Sequence, residues 1–144
     1  VQEDRPCLQP PSALPELAEY QGNGEKILVI DDEGTQRDIA CRILTLLGYE
    51  ADAVGSGEEA LAYLRDQSAD LLVLDMFMKG GMNGAETYEK ILKINPCQKA
   101  IIASGYAEDA SVRRTLAAGA GAFLTKPYSM ETIGLAIRKE LTGG

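Results

Sequence analysis

Lys26-Ile27-Leu28-Val29-Ile30-Asp31-Asp32 is an apolar run that ends in two adjacent acids. Consecutive large apolar residues bounded by polar ones read as a strand buried on both faces, the pattern of a central strand in a parallel sheet. A second run, Asp70-Leu71-Leu72-Val73-Leu74, has the same character and ends in Asp75. Charges do not belong inside such a core, so the acids mark strand ends. In open α/β sheets the carboxyl ends of the strands border the crevice where ligands bind.

Outward from these two runs the chain alternates. After the first strand, Ile39, Ile43 and Leu46/Leu47 recur at helical spacing as far as Gly48, which predicts a helix with these residues in the core. Tyr49 to Val54 is a short second strand, and Ser56-Gly57-Glu58-Glu59 is a capping-box pattern opening a helix with Ala60, Leu61 and Leu64 on its apolar side. Beyond Asp75 a glycine-rich loop, 79–84, leads to a helix carrying Tyr88, Ile91 and Leu92 that stops before Pro96. Lys99 to Ala103 is the fourth strand, followed by a helix from about Glu108 with Val112 and Leu116. Ala122 to Thr125 is the fifth, after which Ser129 caps a last helix with Ile133, Ile137 and Leu141 on one face. Five βα units imply an α/β fold with a parallel sheet, right-handed crossovers and helices on both faces.

The 144 residues suit one domain plus an extension. Residues 1–24 hold four of the six prolines and read as a tail or interdomain linker, with 25–144 as the folded domain. The chain opens on Val1, so the expectation is an excerpt of a longer protein or a processed start. A net charge of -8 and a pI near 4.6 oppose binding to nucleic acid or to an anionic membrane, both of which need clustered Lys and Arg. No apolar run could span a bilayer, and the first residues lack the pattern of a signal peptide, so a cytoplasmic domain is expected. Cys7, Cys41 and Cys97 are too few and too scattered to suggest a disulfide framework or a zinc site. The absence of histidine removes the commonest general base and metal ligand together.

The two remaining strand ends also carry chemistry: Ser104-Gly105-Tyr106 follows the fourth and Lys126-Pro127 the fifth. Two unit charges about 4 Å apart at an effective dielectric of about 20 repel by about 4 kcal/mol, so Asp31, Asp32 and Asp75 at one edge require a cation. Lys126 offsets one charge. Mg²⁺ takes oxygen ligands and retains waters that phosphate oxygens can replace, so the set points to Mg²⁺ plus phosphate.

In this order and spacing, residues 25–142 resemble the receiver domains of two-component response regulators and hybrid histidine kinases. The resemblance implies a (βα)5 flavodoxin-like fold with sheet order 2-1-3-4-5. It makes Asp75 the phosphoacceptor, loaded from a phosphohistidine on a histidine kinase or phosphotransfer domain. Asp31 and Asp32 would position Mg²⁺, Asp32 directly and Asp31 through water, with the Phe77 backbone carbonyl completing the shell. Lys126 would pair with Asp75 and then with the phosphoryl oxygens. The Ser104 hydroxyl would bond the phosphoryl group, and Phe123 matches an aromatic switch position. Phe77 and Tyr106 would flank the path of the hydrolytic water and set the phosphoryl lifetime. Self-phosphorylation and slow autodephosphorylation are implied, and a phosphorylation-dependent homodimer is left open. The pattern departs from the family after Asp75, where Lys79 stands in place of the usual proline and Gly84 comes one residue late. The parent reads as a hybrid sensor histidine kinase with a C-terminal receiver, or else a stand-alone single-domain response regulator. A haloacid-dehalogenase-type phosphatase would want a second acid where Phe77 stands, and the acidic Asp31–Thr35 loop is ill suited to a flavin phosphate.

Overall fold

The structure is a computed structural model that describes residues 22–78, 81–105 and 110–142. The lead-in before Gly22 lies outside the described residues, as do Lys79, Tyr106 and Glu108. Five strands, β1 (Lys26–Ile30), β2 (Glu50–Val54), β3 (Leu71–Asp75), β4 (Ala100–Ser104) and β5 (Ala122–Thr125), alternate with five helices. These are α1 (Gly34–Leu46), α2 (Gly57–Asp66), α3 (Gly84–Ile94), α4 (Ala110–Ala117) and α5 (Met130–Leu141). The strands form one sheet in the order β2-β1-β3-β4-β5, and every pairing is parallel.

Alternation within the apolar runs builds two cores, one on each face. Leu28, Ile30, Leu72, Leu74 and Ile102 meet Ala60 and Leu61 of α2, Tyr88 and Ile91 of α3, and Val112 of α4. Ile27, Val29, Leu71, Val73 and Ile101 point the other way and meet Ala40 and Leu44 of α1 with Ile133 and Ile137 of α5. A strand read as continuously apolar is therefore serving two layers at once.

The chemistry of the helix ends follows the sequence closely. Ser56 and Ser129 accept hydrogen bonds from the backbone N–H groups of Glu59 and Thr132. The Glu59 carboxylate takes the N–H of Gly55 (2.7 Å), so the predicted capping box closes one residue upstream of the cap. The sequence reading missed a complete box at α3: the Asn83 side chain accepts from Glu86 N–H (2.9 Å) while Glu86 Oε1 accepts from Asn83 N–H (3.1 Å). Gly48 ends the α1 region at φ +92°, a conformation glycine adopts without steric cost.

One packing assignment is corrected. Ile39 is 47% exposed and Leu46 67% exposed, whereas Leu47 is buried as expected and Ile43 packs half-buried against the core; Ala40 and Leu44 complete the core face. The helix is apolar over more than half its circumference, so two stripes one residue apart satisfy the same periodicity. The stripe that includes small Ala40 faces the sheet. Leu116 is half-buried, whereas Ile137 is fully buried as expected.

Candidate functional site

Parallel register carries the acids to one edge of the sheet. Ile30 pairs with Val54 on one side and Leu74 on the other, so Asp31 and Asp75 are each the next residue past the same line. One carboxylate oxygen from each of Asp31, Asp32 and Asp75 lies within 4.8 Å of the others. Asp31 and Asp75 are buried; Asp32 is half-buried.

Asp31 is engaged at every polar atom. Its N–H donates to Val54 O (3.2 Å), and its carbonyl accepts from Arg37 Nη1 (2.7 Å). Its Oδ1 accepts the N–H of Glu33 (3.0 Å), and its Oδ2 accepts from Lys126 Nζ (2.7 Å). Asp75 Oδ1 accepts the Phe77 N–H (3.3 Å) and lies 3.5 Å from Lys126 Nζ. The expected Lys126–Asp75 pair is thus a bridge whose shorter arm goes to Asp31. The Glu33 N–H fixes one Asp31 oxygen and leaves the other for the lysine. Lys126 is itself placed by its N–H to Ser104 O (2.7 Å) and precedes a cis peptide bond to Pro127.

Burial, with the Asp31 charge adding to it, pushes the Asp75 carboxyl up to about 6, against the pull of Lys126 and the Phe77 N–H. Burial works against the Lys126 ammonium too, but the Asp31 and Asp75 carboxylates outweigh it and hold its pKa raised. The site is therefore short of positive charge even with its lysine in place. Three hard oxygen donors within reach of one another, undercompensated in this way, fit Mg²⁺.

Above the acids opens a cavity of about 730 Å³. Asp32, Asp75 and Lys126 line it together with Glu33, while Phe77 and Met78 supply apolar surface, and Asn83 and Gly105 complete the lining. Phe77 is 44% exposed there. Ser104 ends β4, the strand paired to that of Asp75, and is fully buried; it is not among the lining residues. Phe123 pairs with Ile102 on β5, half-buried against the core under α2–α4, and does not reach the cavity. The structure thus brings Asp31, Asp32, Asp75, Phe77 and Lys126 together and leaves Ser104 and Phe123 behind them. Sequence reading missed Arg37, Asn83 and Tyr128. Burial raises the Tyr128 phenol to about 12, reinforced by the charges of Asp31 and Asp75, so that ring stands close enough to feel the acids.

Among the described residues no helix is long and apolar enough to cross a membrane. The family model of the response regulator receiver domain matches residues 27–138. The chain is 32% identical over 117 residues to the chemotaxis protein CheY of Thermotoga maritima, covering 81% of this chain and 97% of that one. It is 29% identical over 141 residues to the sensor kinase CckA of Brucella abortus, covering 96% of this chain but 15% of the kinase. Its fold matches the response regulator TrrA of Thermotoga maritima, solved in complex with Mg²⁺-BeF, with a TM-score of 0.74 and 31% identity over 81% of this chain and 99% of that one.

Proposed function

Because this chain belongs to the response regulator receiver family, we propose that it takes a phosphoryl group onto Asp75 from a phosphohistidine of a histidine kinase or phosphotransfer domain and signals through the resulting change in conformation. The observation that carries the reading is the convergence of Asp31, Asp32 and Asp75 within 4.8 Å, with Lys126 bridging two of them. An Asp75 carboxylate oxygen forms the new P–O bond as the donor's P–N bond breaks, and the imidazole leaves with the electron pair and takes a proton. No general base is needed, because a carboxylate is already the nucleophile; the protein's work is positioning and charge neutralisation.

Asp32 and Asp75, with the Phe77 carbonyl, would hold Mg²⁺ directly, and Asp31 through water. The saturation of Asp31 by Lys126 and the Glu33 N–H favours that division. The bound ion would offset charge on the phosphoryl oxygens. Lys126, already 3.5 Å from Asp75, would swing from Asp31 toward the incoming phosphoryl group. The buried Ser104 hydroxyl would turn toward it as well, and Phe123 would fill the space vacated. The TrrA complex, a relative holding Mg²⁺ and a beryllofluoride group, supports this assignment.

Acetyl phosphate with Mg²⁺, followed by intact mass, tests the reading: the wild type gains one phosphoryl group and Asp75→Ala gains none. Labelling at any other residue, or none in the wild type, overturns it. Phe77 stands in the cavity where a hydrolytic water would approach, so Phe77→Asn shortens the phosphoryl lifetime in a dephosphorylation time course. An unchanged lifetime removes Phe77 from that role.

For the parent protein we propose a hybrid sensor histidine kinase. The alignment with a sensor kinase takes in 96% of this chain, including part of the proline-rich lead-in, whereas that with CheY takes in 81%. A kinase core encoded in frame upstream of Val1 is the expected finding, and a start codon there with no such core favours the stand-alone regulator.

A further inference from the structure

Three of the four partners of Asp31 are accounted for by the fold or by the site: Val54 belongs to the sheet, Glu33 starts α1, and Lys126 bridges the acids. The fourth is Arg37. Its guanidinium reaches back across the first turn of α1 to the carbonyl of Asp31 (2.7 Å). That carbonyl belongs to the peptide joining Asp31 to Asp32. The peptide is planar, so holding its oxygen also fixes the direction in which the Asp32 backbone leaves. A side chain on Gly55, at the end of β2, would start 3.1 Å from Nη1, and one on Gly34 would start 3.5 Å from Nη2. The fork therefore lies close against Gly55, where a side chain would crowd it, while Gly34 leaves it ordinary van der Waals room on the other side.

We propose that Arg37 is the positioning residue of the metal-binding loop: it locks the Asp31–Asp32 peptide so that the Asp32 carboxylate is aimed at the shared site. The proposal rests on the reading that these acids bind a divalent ion. Arginine suits the task because its planar fork is partly ordered before it bonds. Residues that orient metal ligands typically govern affinity strongly while leaving the chemistry to the ligands themselves.

The test uses the full chain, with Mn²⁺ counted by electron paramagnetic resonance and Mg²⁺ measured by competition. Arg37→Ala is expected to weaken Mn²⁺ binding by about tenfold, with Arg37→Lys recovering part of the loss. With metal at saturation, the rate of phosphorylation by acetyl phosphate should return to within about threefold of the wild type, placing the defect in binding and not in transfer. Melting of the metal-free proteins reports the fold separately. Gly55→Val provides the second arm: it leaves Arg37 in the chain but crowds the guanidinium, and it too should weaken Mn²⁺ binding. An affinity within about twofold of wild type in folded Arg37→Ala, or in Gly55→Val, overturns the proposal. A transfer defect that persists at saturating metal also overturns it. A wild type that binds no Mn²⁺ indicts the assignment of the acids instead, which keeps the two failures apart.

Discussion

Asp75 binds its proton more tightly in the fold than in the unfolded chain, with a pKa of about 6 against 3.8. Between those values the folded state carries the extra proton, so metal-free stability falls as pH rises through the window and stays reduced above it. Asp75→Asn should therefore melt higher than the wild type in chelator at pH 7.5, by an amount on the order of 1–3 kcal/mol, with the gap closing toward pH 4. Mg²⁺ should narrow or reverse the difference, since it stabilises whichever protein binds it. A wild type that gains stability from pH 4 to 6 in chelator would contradict the burial argument. Asp31, Asp32, Asp75 and Lys126 were legible in the sequence because each ends an apolar run, and in a parallel sheet those ends meet at one edge. Arg37 and Tyr128 were not, since their significance lies in reaching across elements, which spacing does not encode. Asn83 is different: Asn-x-x-Glu before a helix is a readable cap signal, and it went unused beside the more obvious glycines.

At the scale of single elements, α1 shows how periodicity can give the right helix and misplace part of its face: Leu47 is buried and Ile43 packs against the core, while Ile39 and Leu46 are exposed. Leu44→Ala, on the stripe the sheet covers, should cost about 2–5 kcal/mol in urea unfolding, while Leu46→Ala, 67% exposed, should cost under about 0.5 kcal/mol. The reverse ranking would restore the stripe that the sequence favoured. The start of α3 is tighter. A Cβ on Gly84 would lie 2.7 Å from both the Asp75 carbonyl oxygen and the Met76 Cα, and those atoms are backbone that cannot swing aside. Gly84→Ala should destabilise by about 1–3 kcal/mol, measurable by denaturant midpoint. It should also disturb the acid carried on that backbone. The sequence marked Gly84 only as a family glycine displaced by one residue; the contact that requires glycine is visible only once β3 and α3 are side by side.

For the molecule as a whole, one sheet feeds two cores, so neither face can unfold alone without exposing strands that the other face needs. Ile27→Ala, toward α1 and α5, and Leu28→Ala, toward α2–α4, should each lower the same single transition by about 2–5 kcal/mol. Separate transitions by far-ultraviolet circular dichroism and tyrosine fluorescence would show instead that the faces are independent. Five βα units and the parallel sheet followed from pattern alone, because each element here is short, periodic and punctuated. Strand order came only from resemblance, since nothing in a run such as Leu71-Leu72-Val73-Leu74 says which neighbour it will take. The Gly84 N–H donates to Met76 O (3.1 Å), so the segment after the acceptor is pinched shut at its base. That clasp ties the first residue of α3 to the backbone one step past the acceptor, so a displacement at Asp75 has a direct route into the helix.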